Sequence, residues 1–127
     1  MRWFLFVLLF LFSQNLLSRP HFDRQWSRST LSSTHLGFRY LNRMSPLLAG
    51  DFVVQGNAVD SISAYDRKTG HQKWNLRFKD GVEGGATLDE NRLYFGSNNG
   101  NFYCVDVLSG RILWKFQLNS ESLTSPL

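Results

Sequence analysis

The pattern Asp-x-x-x-Gly-x-x-x-Trp occurs twice in this chain, forty residues apart, as Asp66/Gly70/Trp74 and Asp106/Gly110/Trp114. A fixed period of this length marks a repeat architecture, in which each unit leaves an apolar face to be covered by the next. Laying residues 51–78 on 91–118 gives four identities, the three signature pairs and Gly56/Gly96. Composition alone would supply about one or two over such a stretch, so the content of the match carries more than its count. Tryptophan is rare, and apolar character keeps phase at Val53/Leu93, Ile62/Phe102, Leu76/Phe116 and Phe78/Leu118. Ser45-Pro46-Leu47 also returns on the same grid as Ser125-Pro126-Leu127, with Gly85-Ala86-Thr87 between them.

Within a unit the pattern is that of short strands. Ile112, Trp114, Phe116 and Leu118 alternate with Arg111, Lys115 and Gln117, Leu113 being the one apolar exception; Trp74, Leu76 and Phe78 alternate with Lys73, Asn75 and Arg77. Period-two alternation predicts half-buried strands. Leu93–Phe95 and Phe102–Val105 are apolar runs joined by Asn98-Asn99-Gly100-Asn101, residues that tolerate a positive φ and suit a tight hairpin. Further turn signals lie at Ala49-Gly50-Asp51 and Leu88-Asp89-Glu90-Asn91. The tally is about four strands per forty residues, with no helical periodicity after residue 44, which predicts an all-β fold of four-stranded antiparallel propeller blades, about two of them. The signature residues then have structural tasks. Asp66 and Asp106 accept backbone N–H groups within their loops, Gly70 and Gly110 permit a left-handed bend, and Trp74 and Trp114 bury indoles against the neighbouring blade. An indole hides roughly 200 Å², on the order of 5 kcal/mol at about 25 cal/mol per Å².

The run Ala/Cys-x-Asp-x-x-(Thr/Ser)-Gly-x-x-x-Trp, preceded in the second copy by Leu93-Tyr94-Phe95-Gly96-Ser97-x-x-Gly100, resembles the PQQ-like propeller repeat over about residues 44–127. The copies fall at about 44–83 and 84–123, and a third begins at 124. The signal-like start and Glu121-Ser122-Leu123-Thr124-Ser125-Pro126 look most similar to BamB-type outer-membrane assembly factors. The resemblance implies a ring of seven or eight blades, so the chain reads as a fragment. It also implies a scaffold that binds through its loops, although no contact residue can be carried over.

Residues 1–18 read as a secretory signal or a membrane anchor. Met1-Arg2 precedes ten apolar residues, Trp3–Phe12, too short a run to span a bilayer. An A-x-A-like cleavage site is absent, Ser18 being the nearest small residue, and Arg19, Arg24 and Arg28 follow the apolar run, which works against export. Export to the periplasm or cell envelope is the expectation, and an uncleaved anchor is the competing reading. The one cysteine, Cys104, lies in an expected strand, so it offers neither an internal disulfide nor the lipid-attachment site that BamB-type factors carry after their signal.

The net charge of +4 is unevenly placed: residues 1–43 hold six basic and one acidic residue, and residues 44–127 eight basic and nine acidic. The near-neutral repeats carry no nucleic-acid footprint. The segment 19–43, with Phe22, Trp26, Phe38 and Tyr40 among Arg24, Arg28, Arg39 and Arg43, reads as a basic tether and a candidate outer strand for another blade.

No residue set points to catalysis, a cofactor or a metal. His21, His35 and His71 are dispersed, Glu83-Gly84-Gly85 has no following helix, and no Gly-x-Ser-x-Gly elbow occurs. The quinoprotein enzymes of the resembling family use an adjacent Cys-Cys pair, whereas Cys104 is followed by Val105. The expected function is a non-enzymatic envelope scaffold binding protein partners in outer-membrane assembly. The alternatives are a truncated quinoprotein oxidoreductase and a ligand-sensing or polymer-binding propeller.

Overall fold

The computed structural model describes residues 23–30 and 42–118. The signal-like segment and the second Ser-Pro-Leu element, Ser125-Pro126-Leu127, lie outside these residues. The fold is all β, in two four-stranded antiparallel sheets of sequential order. The first holds β1 (Leu47–Ala49), β2 (Phe52–Gly56), β3 (Ser61–Asp66) and β4 (Gln72–Arg77); the second holds β5 (Ala86–Asp89), β6 (Arg92–Ser97), β7 (Asn101–Asp106) and β8 (Ile112–Gln117).

The two sheets repeat each other down to their irregularities. Two-residue turns join β1 to β2 through Gly50 (φ +60°) and β5 to β6 through Glu90 (φ +52°). Each third strand slips its register against the fourth at the same point, between Ala64 and Tyr65 and between Cys104 and Val105. β1 and β5 are the strands that approach one another across the two sheets, as innermost strands do at the hub of a propeller.

One apolar core lies between the sheets. Val54, Ile62 and Ala64 of the first sheet join Leu93, Phe95 and Val105 of the second in a single buried cluster with Trp74 and Phe78. Phe78 spans the junction, its ring 4.6 Å from Tyr103 and 5.7 Å from Phe95. Backbone groups tie the same junction: Ser97 Oγ donates to Gly81 O at 2.9 Å and the Asn98 N–H to the same carbonyl at 3.1 Å. These are adjacent blades, the first burying its face on the second, as period and alternation predict.

One expectation is corrected. Trp114 is not buried against a neighbour, and β8 is exposed along all six of its residues instead of half-buried, because among the described residues no third sheet lies over it. Residues 23–30 of the basic segment join neither of the two sheets among the described residues and run beside the first blade as an irregular stretch.

Candidate functional site

The two signature loops build the same object. In the first, Asp66 Oδ1 accepts the N–H groups of Lys68 (3.0 Å) and Thr69 (2.9 Å), and the Gly70 N–H donates to Asp66 O at 2.8 Å. In the second, Asp106 Oδ1 accepts the Ser109 N–H at 2.8 Å together with its hydroxyl, and the Gly110 N–H donates to Asp106 O at 2.8 Å. Gly70 and Gly110 hold φ values of +68° and +73°, where a side chain is strained. Both carboxyl groups are held below the usual range. The Thr69 N–H and hydroxyl do most to bring Asp66 down to about 2, with Lys73 3.4 Å away contributing last. The Ser109 hydroxyl and N–H lower Asp106, aided by the charge of Arg111.

The loop is also a socket. Trp74 reaches from the first blade to the second, where its Nε1–H donates to Val107 O at 2.8 Å. A Cβ added to Gly110 would stand 2.7 Å from Trp74 Cγ, so the glycine supplies both the bend and the room for the ring. Only 9 % of Trp74 is exposed, against 46 % of Trp114.

A second indole, Trp26, uses the matching socket of the other loop, and the sequence reasoning missed it. Trp26 Nε1–H donates to Arg67 O at 2.8 Å, and a Cβ on Gly70 would stand 2.7 Å from Trp26 Cδ2. Arg67 follows Asp66 as Val107 follows Asp106. Arg28 adds a bond, its Nε–H donating to Gly70 O at 2.7 Å. The available signal was Trp26 between Arg24 and Arg28 at period two, in a segment already read as a candidate strand. Asn57 was also missed: its Oδ1 accepts the N–H groups of Val59, Asp60 and Ser61, and its Nδ2 reaches Thr30 O at 2.7 Å. Ser97 stands at the matching place in the second copy, so the period gave no cue.

The outer face of the second blade is the other prominent surface. Tyr94 and Phe102 lie 6.0 and 6.2 Å from the Trp114 ring on that face, and Ile112 and Phe116, two residues either side of it on β8, are exposed. Cys104 is buried with no disulfide partner. Among the described residues no group of three or more His, Cys, Asp or Glu side chains could hold a metal ion.

A family model described as outer membrane protein assembly factor BamB, of the PQQ-like repeat class, matches residues 58–127, more than half of the chain. The chain belongs to this family. Similar curated relatives are the outer membrane protein assembly factors BamB of Escherichia coli (strain K12), 23 % identical over 121 residues, and of Burkholderia pseudomallei, 30 % identical over 96 residues. The aligned parts cover 85 % and 76 % of this chain but 31 % and 24 % of those relatives, so the chain spans less than a third of their length. Among solved structures, BamB from Moraxella catarrhalis superposes with a TM-score of 0.50 at 23 % identity, covering 57 % of this chain and 22 % of that one. A europium-containing methanol dehydrogenase superposes with a TM-score of 0.52 at 17 % identity, covering 57 % and 15 %. At these identities the structural likenesses speak to the propeller fold alone.

Proposed function

We propose that the chain is part of a non-enzymatic propeller scaffold of the cell envelope that binds protein partners in outer-membrane protein assembly. The observation that carries this reading is the family match over residues 58–127, supported by curated relatives that are named as outer membrane assembly factors. The chemistry agrees with a scaffold. Five of the six signature residues are engaged in loop geometry and wedge seating, and the exposed apolar face around the sixth, Trp114, is of the kind that meets other sheets and chains. Export follows from the basic start and the apolar run Trp3–Phe12.

The deciding experiment is affinity capture of the tagged protein, expressed at native level, from envelope fractions crosslinked in the cell. Recovery of a component of β-barrel assembly supports the reading. Capture that repeatedly returns no such component, or a tagged protein found only in the cytoplasmic fraction, rejects it.

A further inference from the structure

Asn99 and Gly100 are the one Asn-Gly pair of the chain and lie in the turn between β6 and β7. A backbone nitrogen closes on an asparagine side-chain carbon most readily when glycine supplies it, since no Cβ obstructs the approach. The turn adds further groups to that pairing. Asn99 Oδ1 accepts the Asn101 N–H at 3.1 Å and the Asn101 side-chain amide at 3.0 Å, so the carboxamide folds back over the peptide that carries Gly100 N. Its Nδ2–H donates to Tyr103 Oη at 3.0 Å. These partners fix the amide's orientation, because a flipped amide would turn Nδ2 toward two donors. The Gly100 N–H donates to Ser97 O at 3.1 Å, at the long end for such bonds, and the glycine is only half-buried, within reach of hydroxide.

We propose that Asn99–Gly100 is a self-modification site, at which the turn converts Asn99 to its aspartyl and isoaspartyl forms. Hydroxide takes the Gly100 N–H proton, and the nitrogen bonds to Asn99 Cγ. Negative charge then gathers on Oδ1, where the two Asn101 donors already point. Nδ2 becomes an amine, and the Tyr103 hydroxyl 3.0 Å away gives it a proton as the Cγ–Nδ2 bond breaks and ammonia leaves. Tyr103 recovers its proton from water, which restores the hydroxide. Water opens the cyclic imide at either carbonyl, so the net change is asparagine plus water to aspartyl or isoaspartyl plus ammonia. Neighbouring asparagines lack the set. Asn98 precedes a residue with a side chain, and its buried Oδ1 meets no donor among the described residues. Asn57 precedes Ala58, and its Nδ2 is held by Thr30 O and Ser61 Oγ. The product matters to the blade junction. Tyr103 is 5 % exposed, its ring 5.6 Å from Phe95 and 4.6 Å from Phe78. The aspartyl form sets a carboxylate against its hydroxyl, and the isoaspartyl form adds a methylene to the backbone of the turn.

The test incubates the polypeptide, expressed from its own gene at full length, at mildly alkaline pH, in parallel as native protein and unfolded in guanidinium chloride. Peptide mass spectrometry reads, at each asparagine, the exchange of NH₂ for OH and the isoaspartyl share. Native protein should convert Asn99 several-fold faster than unfolded protein and leave Asn98 and Asn57 intact. Tyr103→Phe keeps the ring and removes the proton donor, so it should lose most of the native rate and leave the unfolded rate unchanged. Asn101→Ala removes one of the two donors to Oδ1 and should lose part of the native rate; it decides alone if Tyr103→Phe does not fold. A native rate at or below the unfolded rate, a folded variant of either kind as fast as the parent, or conversion of Asn98 matching that of Asn99 would each overturn the proposal.

Discussion

Trp74 and Trp114 occupy the same place in two copies of one blade, follow the same Asp-x-x-x-Gly turn, and meet opposite fates. Trp74 is 9 % exposed and hydrogen-bonded to Val107 O; Trp114 is 46 % exposed, with Phe116 beside it at 65 %. Nothing in either blade accounts for the difference. It comes from the neighbour, since Trp74 has a loop with a glycine and a free carbonyl in front of it and, among the described residues, Trp114 has none. Burial in a repeat protein is thus a property of a pair of units, and so is the stability that burial provides.

The comparison can be broken most directly at the indoles. In this chain Trp74→Ala removes a buried ring from the only covered junction among the described residues and should cost about 3–5 kcal/mol. Trp114→Ala should stay within about 0.5 kcal/mol, as surface changes do. Denaturant midpoints of the two variants measure it, and equal losses would mean that the two faces are covered alike.

The sockets come next. Gly110→Ala sets a Cβ 2.7 Å from Trp74 Cγ and 2.8 Å from Cδ2, at a φ of +73°. Overpacking of this kind typically costs about 1–3 kcal/mol, and the left-handed backbone adds roughly 1–2 kcal/mol. Gly50, at φ +60° with nothing within 4 Å, bears only the second penalty. Thermal unfolding of both alanine variants should therefore separate them by the cost of the clash. A Gly50→Ala variant as unstable as Gly110→Ala would remove the socket from the explanation.

A smaller contrast lies in the second turns of the two blades. Asn57 is buried and its Oδ1 accepts three backbone N–H groups, whereas Asn99 is half-buried and its Oδ1 accepts one backbone N–H, that of Asn101, together with the Asn101 side-chain amide. Leaving buried donors without a partner costs about 1–3 kcal/mol. Asn57→Ala should fall in that range and Asn99→Ala below it, read from the same unfolding curves.

The blades themselves were legible in the residues. Alternation placed the strands, Gly50 and the Asn98–Asn101 run placed turns, and the forty-residue period placed Trp74 against the next unit. Trp26 was not legible because its partners Gly70 and Arg67 lie more than forty residues away and belong to a loop that already had a full explanation. Asn57 was hidden for the opposite reason, since its work is local but has no counterpart in the other copy. The exposure of Trp114 could not be read at all: a sequence shows that a side chain is apolar, and only a neighbouring surface makes it buried.

The mildest lever acts on both sockets through their aspartates. Each carboxyl has a folded-state value below its ordinary 3.8, about 2 for Asp66. A lowered value means that the ionised form binds its N–H and hydroxyl donors better in the folded chain than in the unfolded one. The resulting stability is fully present above about 3.8 and is lost as pH falls below it, for Asp66 toward about 2. Both loops are open to solvent, so salt should weaken the part that comes from Lys73 and Arg111 and leave the part that comes from the Thr69 and Ser109 donors. The loops differ in what they hold. The Asp106 loop presents the Val107 carbonyl to Trp74, and the Asp66 loop presents the Arg67 carbonyl to Trp26. Asp106→Asn should therefore lower the melting temperature at neutral pH and flatten its fall below the ordinary carboxylate value of 3.8, while Trp74 fluorescence shifts toward that of a wetter indole. Asp66→Asn should flatten the same acid limb and leave Trp74 unmoved, because the junction it seats is the one made by Trp26. Acid melting curves that keep the parent's slope in both variants would show that the loops are held by backbone geometry alone, with the carboxylates as bystanders.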